Sequence, residues 1–568
     1  MKKTQLLLIL LVFSANIFAQ TVWNEVWNLQ KSPFLAEDAG SEYAKVIAGF
    51  DTDQDGWGEF ITGYTDLEKN HVFMYEATGD NTYEMVWYFE FPYSASSYFG
   101  AAVGDADNNG IVDIAIGSPV VVSAANPNPP RVFFFSWNGV QGENKYGREQ
   151  IDGTFIPSSE THFDVPDNTD WRPYSMSIQD VDNDEMNEVL IGVRAGGRGR
   201  EVMIASAVGD PSAFGSWQTE FSFQNSEGGS NYSTIAGDLD NDGLTDIIEI
   251  IWWRLTLRFF EATGPDTYAH VNDIEQVYES QAIDYGSVDG AQILDINGDG
   301  KNELVIAGAD DAAIEKKLFL IQNVTDLSTI SASDVAEVFT FPVITKPDGS
   351  EVVGGLRSLD AGDPDQDGLI NLLIAGESNG VIYDLEYKGE GDLADSSSWS
   401  LTIAYNLYEK VAAASTDSIG SAITPRLYYG NLAGDMDKDG LEEYVFVNYS
   451  TDKATYSGDI YVSVIEADKA TSIKSTNNLI PTSIKLSQNY PNPFNPSTTI
   501  NFSIPQYSNV KLSVFDILGR EVSILVNKEM IAGNYSIKFD ANSFPSGIYF
   551  YKLVANDKSL TMKMNLLK

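Results

Sequence analysis

The chain has 568 residues, a formal net charge of −47, three His and no Cys. Its length exceeds what one simple core holds. Its acidity excludes phosphate backbones and anionic membrane surfaces as partners, since both require a basic face. Without Cys there is no disulfide framework, lipid-anchored Cys, thiolate metal site or Cys nucleophile.

Residues 1–19 read as a secretory signal. Lys2 and Lys3 form the basic start, Leu6 to Phe13 the apolar run, and Ile17-Phe18-Ala19 a cleavage site before Gln20. Eight apolar residues are too few to span a bilayer, and no later segment reads as transmembrane. The stretch Val22-Trp-Asn-Glu-Val-Trp-Asn-Leu29 then reads as a strand, similar in pattern to Tyr83–Phe89.

From Asp51 onward a nine-residue pattern recurs seven times. Oxygen side chains stand at positions 1, 3, 5 and 9, and position 7 offers a backbone carbonyl. In chain order these residues are Asp51, Asp53, Asp55, Trp57 and Glu59; then Asp105, Asp107, Asn109, Ile111 and Asp113; then Asp180, Asp182, Asp184, Met186 and Glu188. The fourth loop has Asp238, Asp240, Asp242, Leu244 and Asp246, and the fifth Asp295, Asn297, Asp299, Lys301 and Glu303. The sixth has Asp363, Asp365, Asp367, Leu369 and Asn371, and the seventh Asp435, Asp437, Asp439, Leu441 and Glu443. Carboxylates fill 25 of the 28 side-chain positions. Convergent carboxylates repel one another unless a cation neutralises them. A hard ion that accepts six to eight oxygens fits, so up to seven structural calcium ions are expected.

An EF-hand would need Glu at position 12, between helices. Position 12 is instead Thr62, Ile116, Ile191, Glu249, Ile306, Ile374 and Phe446, and the flanks are short apolar runs such as Glu303–Gly308. The loops therefore join strands. Glu185 replaces the usual Gly of position 6 and Asn371 removes a charge, so the third and sixth loops are expected to bind most weakly.

Each unit has room for four short strands. The fourth unit illustrates this with Tyr232–Gly237, Asp246–Ile251, Leu255–Phe260 and Ala269–Val277. Seven four-stranded units predict an all-β, seven-bladed propeller over residues 20–467. The last unit lacks a fourth strand, and Val22–Leu29 is expected to supply it, hiding two sheet edges. The run Tyr98-Phe-Gly-Ala-Ala-Val-Gly-Asp105, continuing through Asp113-Ile-Ala-Ile-Gly-Ser-Pro119, resembles the FG-GAP repeat of integrin α-subunit propellers and of many secreted bacterial proteins. That resemblance covers about Thr21 to Ala467.

All seven loops are first-to-second connections, which places them on one face. Long connections at residues 118–130, 150–174, 342–355 and 408–426 are expected mostly on the other, where variable loops would bind a ligand. Candidate ligand contacts there are Trp171 and Tyr174, for stacking on a sugar ring, and Arg194, Arg198 and Arg200, for clamping an acidic group. His71, His162 and His270 fall in different units, and neither HExxH nor GxSxG occurs.

Residues 468–482 read as a Ser, Thr, Lys and Asn-rich linker. Residues 483–568 carry nine Lys or Arg against five Asp or Glu, opposite to the rest of the chain. Six short strands predict a small β-sandwich of immunoglobulin-like type there. Asn489–Ile500, Val514–Glu521 and Ser546–Tyr551 resemble the type A sorting domain of the type IX secretion system. The resemblance implies export by that machinery, cleavage or retention of the domain, and release or attachment at the outer-membrane cell surface. The expected function is non-catalytic binding or adhesion toward an extracellular protein or polysaccharide. The alternatives are a polysaccharide lyase or hydrolase on the same scaffold, and a passive surface component.

Overall fold

The computed structural model describes residues 21–30, 41–65, 69–94, 99–119, 121–124, 126–194, 200–208, 216–225, 231–251, 255–275, 290–308, 317–346, 349–352, 355–377, 379–408, 410, 427–451, 460–468, 484–489, 492–504, 508–530, 533–541, 544–555 and 558–567. The expected signal and nearly all of the expected linker lie outside these residues. The chain divides into two compact units, Thr21–Lys469 and a second that contains Ala470–Lys568. Both are built from β-strands, with 3₁₀ turns such as Leu327–Thr329 and a helical turn at Leu407 and Tyr408 among the described residues.

Among the described residues the first unit contains seven open antiparallel sheets of four or five strands, each taking the strands around one acidic loop, and two small two-stranded sheets, Arg148–Glu149 with Phe155–Ile156 and Ile344–Thr345 with Glu351–Val352. The first sheet has Ser41–Phe50, Glu59–Thr65, Asn70–Gly79 and Thr82–Glu90, with the short strand Ser450–Thr451 paired to the outer side of Ser41–Phe50. The second has Gly100–Gly104, Asp113–Gly117, Val132–Ser136 and Ser159–Thr161. Pro173–Gln179, Glu188–Val193, Arg200–Ala207 and Trp217–Asn225 form the third; Asn231–Gly237, Asp246–Ile251, Thr256–Gly264 and Thr267–Ile274 form the fourth. The fifth comprises Ala291–Leu294, Glu303–Gly308, Lys317–Ile321 and Ala336–Thr340. The sixth comprises Gly355–Gly362, Asn371–Glu377, Val381–Tyr387 and Trp399–Asn406. Leu427–Gly434, Glu442–Asn448 and Val462–Ala467 make the seventh, and Trp23–Leu29 completes it, paired antiparallel with Val462–Ala467. The expected origin of that fourth strand is what the structure shows.

Burial explains the strand order. The second strands are buried on both faces: every residue of Glu59–Thr65, Glu188–Val193, Asp246–Ile251 and Glu303–Gly308 is inaccessible. A strand covered on both sides reads as a continuous apolar run, which is the pattern of Asp246-Ile-Ile-Glu-Ile-Ile. The side chains fill clusters between neighbouring sheets, such as Ile61, Val72, Trp87 and Phe89 of the first sheet with Ile114, Phe133 and Phe135 of the second. At about 25 cal/mol per Å² of apolar surface, these inter-sheet layers are the main source of stability.

The first strands lie side by side. Ser41–Phe50 packs against Gly100–Gly104, and the contact passes in turn to Pro173–Gln179, Asn231–Gly237, Ala291–Leu294, Gly355–Gly362 and Leu427–Gly434. Leu427–Gly434 also lies against Ser41–Phe50. A cavity of about 430 Å³ is lined by residues from all seven of these strands, including Lys45, Ser175, Thr234, Gln292, Ser358 and Asn431.

One connection departs from expectation. The fourth strand of the second sheet is Ser159–Thr161, so the excursion 137–158 joins third and fourth strands on the side of the acidic loops. There Gly142 N–H donates to Asp53 O at 3.0 Å and Gln141 reaches Gln54 O at 2.6 Å. Only the later part of 150–174 joins the second sheet to the third.

In the second unit, Lys485–Leu486, Ser497–Ile504 and Gly533–Asp540 form one sheet. Glu521–Met530, Ser508–Phe515, Gly547–Ala555 and Lys558–Leu566 form another. Along Gly547–Ala555 burial alternates, and Tyr549, Tyr551, Leu553 and Ala555 enter a shared core with Ile500, Phe502, Leu512 and Val514.

The N-terminal strand also packs sideways. The Trp27 ring lies 6.0 Å from Phe60 and 5.6 Å from both Tyr75 and Tyr83 of the first sheet. Trp27→Ala is expected to cost about 3 kcal/mol, seen as a lower urea midpoint with an unchanged slope.

Candidate metal centres

The seven loops share one internal geometry. In six, the position-9 carboxylate accepts the backbone N–H of position 2: Thr52 to Glu59 (2.9 Å), Ala106 to Asp113 (3.1 Å), Val181 to Glu188 (2.7 Å), Leu239 to Asp246 (2.7 Å), Ile296 to Glu303 (3.0 Å) and Met436 to Glu443 (2.7 Å). In all seven, the position-7 N–H donates to the position-5 side chain, at 2.7–2.9 Å. In five, the position-1 carboxylate accepts from the N–H groups of positions 5 and 6; Asp238, for example, takes Asp242 at 3.0 Å and Gly243 at 3.1 Å.

Two positions per loop take left-handed backbone. Position 6 has φ of 84–91° where it is Gly, and Glu185 holds φ 73°, a strain of about 1–2 kcal/mol for a residue with a Cβ. Position 4 is left-handed as well: Gln54, Asn108, Asn183, Asn241, Gly298, Gln366 and Lys438. These residues also tie loops together. Asn108 and Asn187 exchange hydrogen bonds between the second and third loops, Gln366 reaches Gly440 O, and the Lys438 ammonium sits 4.1 Å over Trp57. Sequence reading gave position 4 no role; its run of Asn, Gln, Lys and Gly was the available signal.

The donors converge. Carboxylate oxygens of Asp435, Asp437, Asp439 and Glu443 all lie within 4.8 Å of one another, as do those of Asp51, Asp53 and Glu59, of Asp105, Asp107 and Asp113, and of Asp180, Asp182 and Asp184. Several are buried without a hydrogen-bond partner: Asp53 Oδ2, Glu59 Oε1, Asp182 Oδ1, Asp240 Oδ1, Asp246 Oδ1, Asp365 Oδ1 and Glu443 Oε1. A buried charged oxygen left unpaired is costly. Burial, and secondarily the neighbouring acidic charges, push Glu59 and Glu443 up to about 9, Glu188 to about 8, and Asp113, Asp246 and Glu303 to about 7. An all-oxygen donor set with unpartnered, high-pKa carboxylates fits a hard divalent cation.

The third strand places beside the loops further carboxylates that loop spacing did not reveal. Glu76, Glu261, Glu386 and Glu466 stand directly across from position 9 of the first, fourth, sixth and seventh loops. Glu76 shares a 4.8 Å cluster with Asp53 and Asp55. The sixth loop is atypical twice over. Pro364 has no N–H to give, and the Asn371 amide turns its Nδ2 to Asp384 at 2.9 Å.

The proposed ligand contacts are corrected in part. Trp171 is fully buried, its indole N–H donating to Glu201 at 2.8 Å and its ring against Phe163. Tyr174 is 1 % exposed, and its hydroxyl accepts from Arg194 at 2.8 Å. Neither ring is open to a sugar; large aromatics here seal the layer between sheets. The Arg194 guanidinium lies over the Tyr174 and Tyr232 rings at 5.2 and 5.0 Å, so it is engaged in packing. Arg200 is half-buried, its pKa lowered by burial against the opposing pull of Glu249. Arg198 lies outside the described residues. His71 meets Tyr88 at 3.0 Å, His162 meets Pro129 O at 3.1 Å, and His270 meets Asp273 at 2.9 Å.

Comparison with known proteins bears on the two units unequally. No curated protein matches the chain. Among solved structures, similarity extends to PorZ, a surface component of the type IX secretion system of Porphyromonas gingivalis (TM-score 0.38, 13% identity, 92% of this chain and 59% of that one). It extends also to an exo-inulinase from Aspergillus awamori (TM-score 0.25, 9% identity, 82% and 91%) and to the β-1,3-galactosidase BT3683 (TM-score 0.24, 11% identity, 54% and 96%). The chain thus spans about three fifths of PorZ, and likenesses at these scores carry nothing about function. Among the described residues no helix is long and apolar enough to cross a membrane. Residues 488–566 match the family described as the secretion system C-terminal sorting domain, which makes this tail a type IX sorting signal and the protein one destined for secretion or the cell surface.

Proposed function

We propose that the protein is a calcium-stabilised, seven-bladed β-propeller of FG-GAP type, exported through its type IX tail, which binds an extracellular protein or polysaccharide without chemistry. The observation that carries this reading is the sevenfold repetition of one loop geometry, in which buried carboxylate oxygens are left without partners. Calcium at Asp53, Glu59, Glu443 and their counterparts would satisfy those oxygens and relieve their repulsion. The unbroken succession of first strands around one cavity supports a radial arrangement over an open stack. Two further features support binding over catalysis. His71 and His270 lie in different sheets, His162 follows the strand Ser159–Thr161, and each has a local partner. The ligand surface is then the face opposite the loops, formed by connections such as 162–172 and 342–354 on a rigid scaffold.

The direct test incubates the full chain, in millimolar calcium, with a panel of acidic and neutral polysaccharides. Retention of protein with no new chain ends is the expected result. Chain ends accumulating with time would replace the binding role with an enzyme, and absence of both would remove polysaccharide as the ligand.

Calcium removal should expose the carboxylate strain. The folded-state pKa of Glu59 and Glu443 lies near 9 against an ordinary 4.5. Stability held below about pH 4.5 is therefore lost as pH rises through about 9. In EDTA the urea midpoint should be lower at pH 8.5 than at pH 5, and saturating calcium should abolish that fall. In the third loop, Glu185→Gly should release about 1 kcal/mol of backbone strain, raising the calcium-loaded melting temperature.

A further inference from the structure

The sixth loop looks like the poorest site in the sequence, because Asn371 replaces the ninth-position carboxylate and Pro364 removes the N–H that would orient it. The structure places a substitute beside it. Glu386, on the strand Val381–Tyr387, stands directly across from Asn371. Its side chain is 4 % exposed and its Oε1 has no hydrogen-bond partner. Asn371 is wholly buried, and because its Nδ2 is committed to Asp384, its Oδ1 is also left without a partner. Asp365 presents a third such oxygen, Oδ1, while its Oδ2 accepts from the Thr21 hydroxyl at 2.9 Å. Two adjacent strands and the loop that precedes them thus each supply a buried, unpartnered oxygen, and no described cation pairs with Glu386.

We infer that Glu386 is a ligand of the sixth calcium site, supplying from the neighbouring strand the carboxylate that Asn371 lacks. The inference rests on the calcium reading of the loops. It makes the sixth site fully competent, with Asp363, Asp365, Asp367, the Asn371 amide oxygen and Glu386 as its oxygen donors. The same register position is Glu76 in the first sheet, whose carboxylate clusters with Asp53 and Asp55, and Glu466 in the seventh, whose Oε2 is buried and unpartnered. The carboxylate across from position 9 is therefore a ligand in three sheets that neighbour one another through the strands Gly355–Gly362, Leu427–Gly434 and Ser41–Phe50. In the second sheet the equivalent residue is Ser136, so that site must hold its ion with fewer charges.

The test counts calcium ions retained by the full chain in native mass spectrometry, at the lowest free calcium that saturates the wild type. Glu386→Gln keeps the shape of the side chain and removes its charge; Glu76→Gln does the same in the first sheet, and Asp363→Asn alters an undisputed loop position. Each variant is expected to retain one ion fewer, corresponding to an affinity loss of about ten- to a hundredfold at that site. If both Gln variants hold the wild-type number while Asp363→Asn loses one, the cross-strand carboxylates are not ligands and the loop reading stands. If Asp363→Asn also holds the wild-type number, calcium does not occupy the sixth loop and both readings fall there.

Discussion

The first unit is organised around a single conflict, the crowding of carboxylates where an exposed turn meets a buried strand. In six loops the ninth residue is a carboxylate at the first or second position of a strand buried along almost its whole length, so its charge cannot move to solvent without dragging that strand along. One oxygen of Glu59 or Glu443 accepts a backbone N–H from the second loop position, and the other is sealed in with no partner. Such a group is tolerable if it is protonated or if a cation reaches it. In the calcium reading, the ion, the turn and the strand register form one cooperative element, repeated in every sheet. That explains how a disulfide-free chain of this length could remain ordered outside the cell.

The repeats and strands were legible because they obey local rules. Oxygen side chains at alternate turn positions and glycine at a left-handed residue need no long-range information. Continuous apolar runs such as Asp246–Ile251 announce strands covered on both faces. The N-terminal strand was legible from its resemblance to a fourth strand with no sheet of its own. What sequence could not show lies in the third dimension. Glu76, Glu386 and Glu466 join the loops only through cross-strand register, and they stand 15 to 23 residues downstream of the ninth position with no motif of their own. Trp171 and Tyr174 misled for the opposite reason. A connection between sheets reads as open surface, but Trp171 fills the gap between the second and third sheets, and Tyr174 belongs to the strand Pro173–Gln179 and to a core cluster with Tyr43, Tyr64 and Phe73 of the first sheet.

The edges of the assembly receive the same treatment as its centre. Trp23–Leu29 pairs with Val462–Ala467, covering an edge that would otherwise invite another strand. The segment also reaches into the sixth sheet, where Thr21 meets Asp365 and the Trp23 indole N–H donates to Asp384 at 2.9 Å. Thr21 and Trp23 thus fasten the N-terminal strand to the sixth loop and to the strand Val381–Tyr387 beside it.

The central claim is that the seven loops hold calcium. Equilibrium dialysis of the full chain against millimolar radioactive calcium, after stripping with EDTA, tests it most directly. Calcium-filled loops predict seven ions bound per chain, and binding of none would contradict the claim, leaving the loops as acidic turns.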